Sequence, residues 1–512
     1  MTPALAALAP LAQGAQGAQG AGALKVSVDL VALAPEIILT ATLCAVLLLD
    51  LAVADNRKWL AMPLSAVGVL ATLASVVALA QGGPRSTLGG MFVVDDFALL
   101  FKGLFCVATF LVLLVSYDYL NRDRIHQGEY YFLMLAALLG MLTIASSRDL
   151  IAIFVSIELI SAPAFVLAGL RKGDVKSNEA ALKFFLFGVL STAVMLFGMS
   201  LIFGITGTTD LAGIAAKLQG GTAPVRSLAI LSVFFVVVGF AFKISAFPFQ
   251  WWVPDTYEGA PVPVASFLSV ASKTGGFVGL LQIMFIAFLP LADVWRPFLG
   301  IVAVLTMTFG NLVALQQRHI VRLLAYSSIG QAGYMLLPFG VVSVTNAGVN
   351  HDAFLGVVVY LLIYAFMETG AFAAVIAYGR QGGGYFVTDY DGLSRRSFSL
   401  AVSMAVFLLS LAGIPFFAGW AAKLFVFRAV MGGGGAGLWL GAAMAVNTVI
   451  ALFYYAGIVR RMFFAPPSED LGGTVEPPTA VRTALALSAV AVVVVGILPE
   501  LFAHIAGLST LT

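Results

Sequence analysis

The chain has 512 residues, 61% of them hydrophobic and only 10% charged. Soluble domains carry about 25% charged residues, so a water-soluble core cannot hide this much apolar surface. The composition therefore specifies a polytopic membrane protein with no soluble domain of useful size, and a net charge of +2 gives no sign of a nucleic-acid partner.

Residues 1–29 open with "MTPALAALAPLAQGAQGAQGAG" and read as a flexible tail without the basic region of a secretory signal. A bilayer span needs about 20 mostly apolar residues. That window finds about fourteen spans, near 30–54, 59–80, 96–120, 130–146, 150–170, 181–204, 228–250, 263–289, 297–316, 320–341, 353–379, 398–430, 436–459 and 483–505. Lys and Arg in the intervening loops favour an orientation with both termini on the outer side. Cys44 and Cys106 lie in apolar runs without ligand spacing and read as small buried residues. "MGGGGAG" at 431–437 reads as a flexible loop.

Lys102, Lys183, Lys243, Lys273 and Lys423 fall inside expected spans, as do Glu158 and Glu368. A charge at helix centre costs about 2.5–3.5 kcal/mol on insertion scales, and such groups usually face the bundle interior on an ion or proton path. Burial disfavours the charged form of either group and a close partner restores it. A Glu/Lys pair whose spacing changes can thus take up or lose a proton. The plainer alternative is a static salt bridge that fixes helix register. Lys102 sits near a span end and can snorkel to the interface. Lys183 lies one turn after Glu179.

Two spans are interrupted by proline. "KISAFPFQWWVPDTYEGAP" places Pro248 five residues after Lys243, and "LAGIPFFAGWAAKLF" places Pro415 eight before Lys423. Proline removes a helix hydrogen bond and clashes with the preceding turn. Non-helical backbone at membrane depth is tolerated only inside protein or along a cavity. Matched interruptions point to inverted repeats around a midplane site. The expected division is residues 30–125 as three leading helices, 126–290 as a first repeat of spans four to eight, 291–465 as an inverted second repeat of spans nine to thirteen, and 466–512 as a loop and last helix.

"KISAFPFQWWVPDTYEGAPVPVASFLSVASKTGGF" resembles the antiporter-like membrane subunits of respiratory complex I, the proton-pumping NADH–quinone oxidoreductase. "RLLAYSSIGQAGYMLL", "SLAGIPFFAGWAAKLFVF" and "DDFALLFKGLF" carry the resemblance over nearly the whole chain. Lysine in both spans eight and twelve, with an end soon after the last span, fits one type among these subunits.

The resemblance implies a proton translocase subunit of a bacterial inner membrane. Glu158 and Lys243 would be a modulated pair, Lys183 a neighbouring lysine, Lys273 a central relay and Lys423 the far loading group. Two positions depart from the family pattern: Gln331 stands where histidine is common, and Glu368, a further relay candidate, stands where neutral residues are usual. FMN, iron–sulfur clusters and quinone would belong to partner subunits. The partners would be another antiporter-like subunit, small membrane subunits and the bilayer. This chain shows no cluster-binding Cys motif and no dinucleotide fingerprint. Two other readings remain open: a subunit of a multi-subunit sodium/proton antiporter, and a secondary transporter for a small solute.

Overall fold

The computed structural model describes residues 28–123, 127–220, 223–381, 383–467 and 476–508. Residues 1–27 of the expected N-terminal tail and part of the loop after residue 466 lie outside them. The described chain is an all-α membrane bundle, apart from a hairpin of β1 (Arg85–Thr87) and β2 (Phe92–Val94). Among the described residues, twelve helices are long and apolar enough to cross a bilayer.

Three helices lead the chain: α1 (Ala34–Ala52), α2 (Ala61–Leu79) and α3 (Asp96–Asp123). Two buried ion pairs fasten them. Lys102 Nζ lies 2.7 Å from Glu36 Oε1, joining α3 to α1. Asp95 pairs with Arg148, whose Nη1 donates to Gln282 Oε1 at 2.6 Å. Lys102 is thus an inward-facing structural partner rather than a snorkelling end residue.

Next come α4 (Gln127–Ser146), α5 (Leu150–Ala168) and α6 (Val175–Thr206), then the short amphipathic α7 (Leu211–Gln219), which the span count did not foresee. Helix α8 (Ala223–Ile244) packs along α6 and stops six residues short of the expected span end. Ser245 has φ +65°, the Phe247–Pro248 peptide is cis, and helix resumes only at α9 (Trp252–Gly259). Helix α10 (Val262–Ala287) is continuous but opens into π turns at Leu268–Ser272 and Ile283–Ala287.

The remaining helices are α11 (Ala292–Ala314), α12 (Ile320–Leu336), α13 (Ala347–Gly379), α14 (Phe398–Ala412), α15 (Ala418–Met431), α16 (Gly434–Phe464), α17 (Thr479–Ile497) and α18 (Pro499–Leu508). The expected spans near 320–341 and 398–430 are the two absent from the twelve. The first is a 17-residue helix that finishes as a 3₁₀ turn over Leu337–Val341. The second is two half-helices, of 15 and 14 residues, separated at Gly413 and Phe416, with φ +88° and +73°. Proline removes the donor that would continue α14. Pro499 likewise divides the expected last span into α17 and α18. The glycine run is a tight turn, with helix restarting at Gly434.

Burial is uneven. The membrane window of α13 is 94% buried and that of α10 is 89%, against 28% for α16. Helices α10 and α13 are the axis around which the others pack, and both carry ionisable groups.

Candidate functional site

On α5, Glu158 is half-buried and Ser161 lies on the next turn. Ser161 accepts a hydrogen bond of 2.9 Å from Lys243 Nζ on α8. Lys243 is 3% exposed, with Glu158 the charged group that acts on it through space. The two do not form a direct ion pair, and Glu158 Oε1 is a buried acceptor without a hydrogen bond. Gly276 of α10 meets the Lys243 side chain, where an added Cβ would lie 2.9 Å from Cγ. Lys243 therefore packs against α10 one turn from Lys273.

Lys273 is 1% exposed. Its Nζ donates to the Ser328 carbonyl at 2.8 Å and to Ser328 Oγ at 3.0 Å, so α10 reaches across to α12. Glu368 of α13 is fully buried and acts on Lys273 electrostatically. The hydroxyls of Ser269 and Tyr364 approach its carboxylate, and neither oxygen has a partner at full hydrogen-bond geometry. An uncompensated buried carboxylate is costly, so Lys273 is its natural counter-charge.

Beyond Glu368 the polar groups are neutral. Gln331 of α12 accepts from Tyr360 Oη at 2.5 Å and donates to Tyr455 Oη at 3.2 Å and to the Leu411 carbonyl at 3.1 Å. Tyr455 also bonds Ser327. Tyr360 stacks with Tyr334 at 6.4 Å, and Lys423 Nζ lies 4.6 Å from the Tyr334 ring centre. Lys423 donates to the Ala412 carbonyl at 2.8 Å, on the last residue of α14. Hydroxyls both donate and accept, whereas an amide bridges without titrating. Sequence reasoning singled out the charged members but missed Ser161, Ser328, Tyr360 and Tyr455. The polar run "YSSIGQAGY" inside an apolar stretch was the available signal.

Lys183 lies elsewhere. It is 38% exposed and pairs with Glu179 and Asp255, each at 2.6 Å. Arg322 completes the cluster, 2.8 Å from Asp255 and 3.0 Å from Glu258, with Lys176 also 3.0 Å from Glu258. These pairs tie α9 to α6 and α12. Burial pushes the Asp255 carboxyl up, but hydrogen bonds from Lys183 and Arg322 outweigh it and hold the group below the usual carboxylate range.

Residues 147–451 match the family model "NADH:quinone oxidoreductase/Mrp antiporter, TM". The NADH-quinone oxidoreductase subunit N of Trichlorobacter lovleyi is 38% identical, over 94% of this chain and 96% of that one. Subunit N 2 of Streptomyces griseus is 39% identical, over 94% of each. Among solved structures, a chain of respiratory complex I from Thermus thermophilus with bound aureothin superposes with a TM-score of 0.75 at 29% identity, covering 92% of this chain and 98% of that one. A chain of the Mrp complex from Dietzia superposes at 0.81 with 20% identity, covering 94% and 97%, a likeness of fold alone. The relatives' shared name agrees with the type expected from lysines in spans eight and twelve, and the chain belongs to the NADH-quinone oxidoreductase subunit N family.

Proposed function

We propose that this chain moves protons through the membrane as a subunit of NADH-quinone oxidoreductase, driven by electron transfer in partner subunits that hold the FMN, iron–sulfur clusters and quinone. The path runs from Glu158 and Lys243, through Lys273 and Glu368, to Lys423. The observation that carries it is the bond from Lys273 to Ser328, which ties the central lysine of the first half to α12 of the second at the buried centre. Tyr360, Tyr455 and Gln331 bridge the neutral stretch between Glu368 and Lys423, with water completing the transfer. Lys183 belongs to a surface ion cluster and serves as a brace for α9 rather than a relay.

Fourteen crossings, ten of them in two inverted five-helix repeats, fit this reading. Helices α4 to α10 and α11 to α16 follow one sequence of parts: two closely packed helices, a long one, an interrupted one and a fifth. The long members have 32 and 33 residues. Each opening pair crosses at a glycine, where an added Cβ would lie 2.7 Å from Ile160 N at Gly140 and 2.9 Å from the Tyr326 carbonyl at Gly310. The setting is a bacterial inner membrane with both termini outside, beside another antiporter-like subunit and small membrane subunits.

The test is Lys243→Ala and Lys243→Arg in assembled enzyme in sealed vesicles, with NADH oxidation and proton uptake measured together. Fewer protons per electron in the alanine variant, with recovery in the arginine variant only where proton release is not required, supports the path. Unchanged pumping per electron would sink it. The antiporter alternative predicts sodium-driven pH changes without NADH.

A further inference from the structure

The arginine-bearing end of α16 borders a cavity of about 730 Å³ that lies outside the buried path. Its lining includes Arg318, Arg460 and Arg461 together with the apolar Phe453 and Ile458. Arg461 is held by Asp391 at 3.1 Å. Arg318 and Arg460 are exposed, and neither guanidinium has a hydrogen-bond or ion-pair partner among the described residues.

Three observations converge on one ligand chemistry. First, the position is amphipathic. Helix α16 has 31 residues, about 46 Å at the usual rise, which exceeds the roughly 30 Å of hydrocarbon. Arg460 thus stands at headgroup level, and Phe453, seven residues back, lies about 10 Å deeper. Second, one outward stripe joins the two levels. Val446, Val449 and Phe453 are 60%, 56% and 69% exposed and lead through Gly457 to Arg460 at helical spacing. Third, Gly457 has no packing reason. A Cβ there would meet nothing within 4 Å, yet glycine in a helix interior costs about 1 kcal/mol relative to alanine. Its neighbour is therefore something other than this chain.

We infer that this cleft binds an anionic phospholipid, its phosphate between Arg318 and Arg460, its glycerol region over Gly457 and an acyl chain along Phe453, Val449 and Val446. A free phosphate would use the arginines but not the apolar stripe. A partner polypeptide seated on this face would instead leave it unlabelled by either lipid in the assembled complex.

The experiment uses the assembled complex in phosphatidylcholine vesicles containing a trace of photoactivatable phosphatidylglycerol, or of photoactivatable phosphatidylcholine. Labelled peptides are read by mass spectrometry. The expected result is label between Phe453 and Arg461, in excess from phosphatidylglycerol. The R318Q/R460Q double variant should weaken phosphatidylglycerol binding about thirtyfold, since each surface arginine contributes about fivefold. Gly457→Leu fills the cleft, leaves both arginines and suits a helix better than glycine, so it should remove label from both lipids. No label on this segment in the wild type, equal label from the two lipids, or label unchanged in both variants overturns the inference. Protection of the two arginines by inorganic phosphate as complete as by phosphatidylglycerol overturns it in favour of a free phosphate.

Discussion

The two interrupted helices hold their lysines by different means. At the first interruption Lys243 precedes the break and donates to Ser161, a side chain on another helix. At the second Lys423 follows the break and donates to the Ala412 carbonyl, which the break itself leaves free. The first lysine is therefore set by its neighbours on α5, the second by its own backbone. Each break holds one non-glycine residue left-handed, Ser245 at the first and Phe416 at the second, and the second adds Gly413. A movement of α5 against α8 would change the surroundings of Lys243 and leave those of Lys423 intact.

Removing either amine is the largest break in this comparison. Lys243→Ala and Lys423→Ala should each slow proton translocation in vesicles by about a hundredfold, the lower end of what a positioned acid or base contributes. Gly413→Ala comes next. Its Cβ would fall 2.8 Å from Lys423 Cδ, at φ +88°. The left-handed backbone alone costs a side chain about 1–2 kcal/mol, so thermal unfolding should come earlier and translocation should fall. Ser245→Gly should do the reverse at the first break, because it relieves the left-handed residue and deletes a buried hydroxyl without a partner. A stabilisation of about 0.5–1 kcal/mol is expected in a denaturation series.

Ser161→Ala should separate the two lysines functionally. It removes the acceptor of the Lys243 hydrogen bond, worth about 0.5–1.5 kcal/mol, along with the hydroxyl's bond to its own helix at Ile157, so translocation should fall a few-fold. The same reduction at the second lysine has no side chain to delete. An equal loss from Ser410→Ala, whose hydroxyl accepts from Gly419 N at 3.0 Å without touching Lys423, would erase the distinction. The smallest effect concerns pH. The folded-state Asp255 carboxyl is held low, so its contribution to stability is full above about pH 4 and disappears as pH falls through the lowered value. Asp255→Asn should flatten that acid limb in a thermal-stability profile, modestly, because the pair is partly exposed.

Much of the architecture was legible because charge and proline are conspicuous in an apolar chain. Lys243, Lys273, Lys423 and Glu368 each violate hydropathy, and each is buried. Their partners do not violate it. A serine that also bonds its own helix, as Ser161 does to Ile157 at 2.6 Å, looks like any helical serine. Lys183 misled because Glu179 and Lys183 share a helix face whether that face points inward or outward. Glu36 was passed over at the end of a span, although it neutralises Lys102. Two of the expected spans fall outside the twelve long apolar helices because backbone breaks shorten them, and no composition window measures a break.

The π turns of α10 have a consequence for anyone who maps this helix by substitution. Each accommodates one residue more than an α turn, so the angular phase of the side chains slips by about 100° as the helix passes it. A helical wheel begun at Val262 would therefore aim Lys273 at the wrong neighbour, and one begun at Lys273 would fail again beyond Gln282. Sensitivity along this segment should follow a 3.6-residue period in separate registers, each restarting after a π turn.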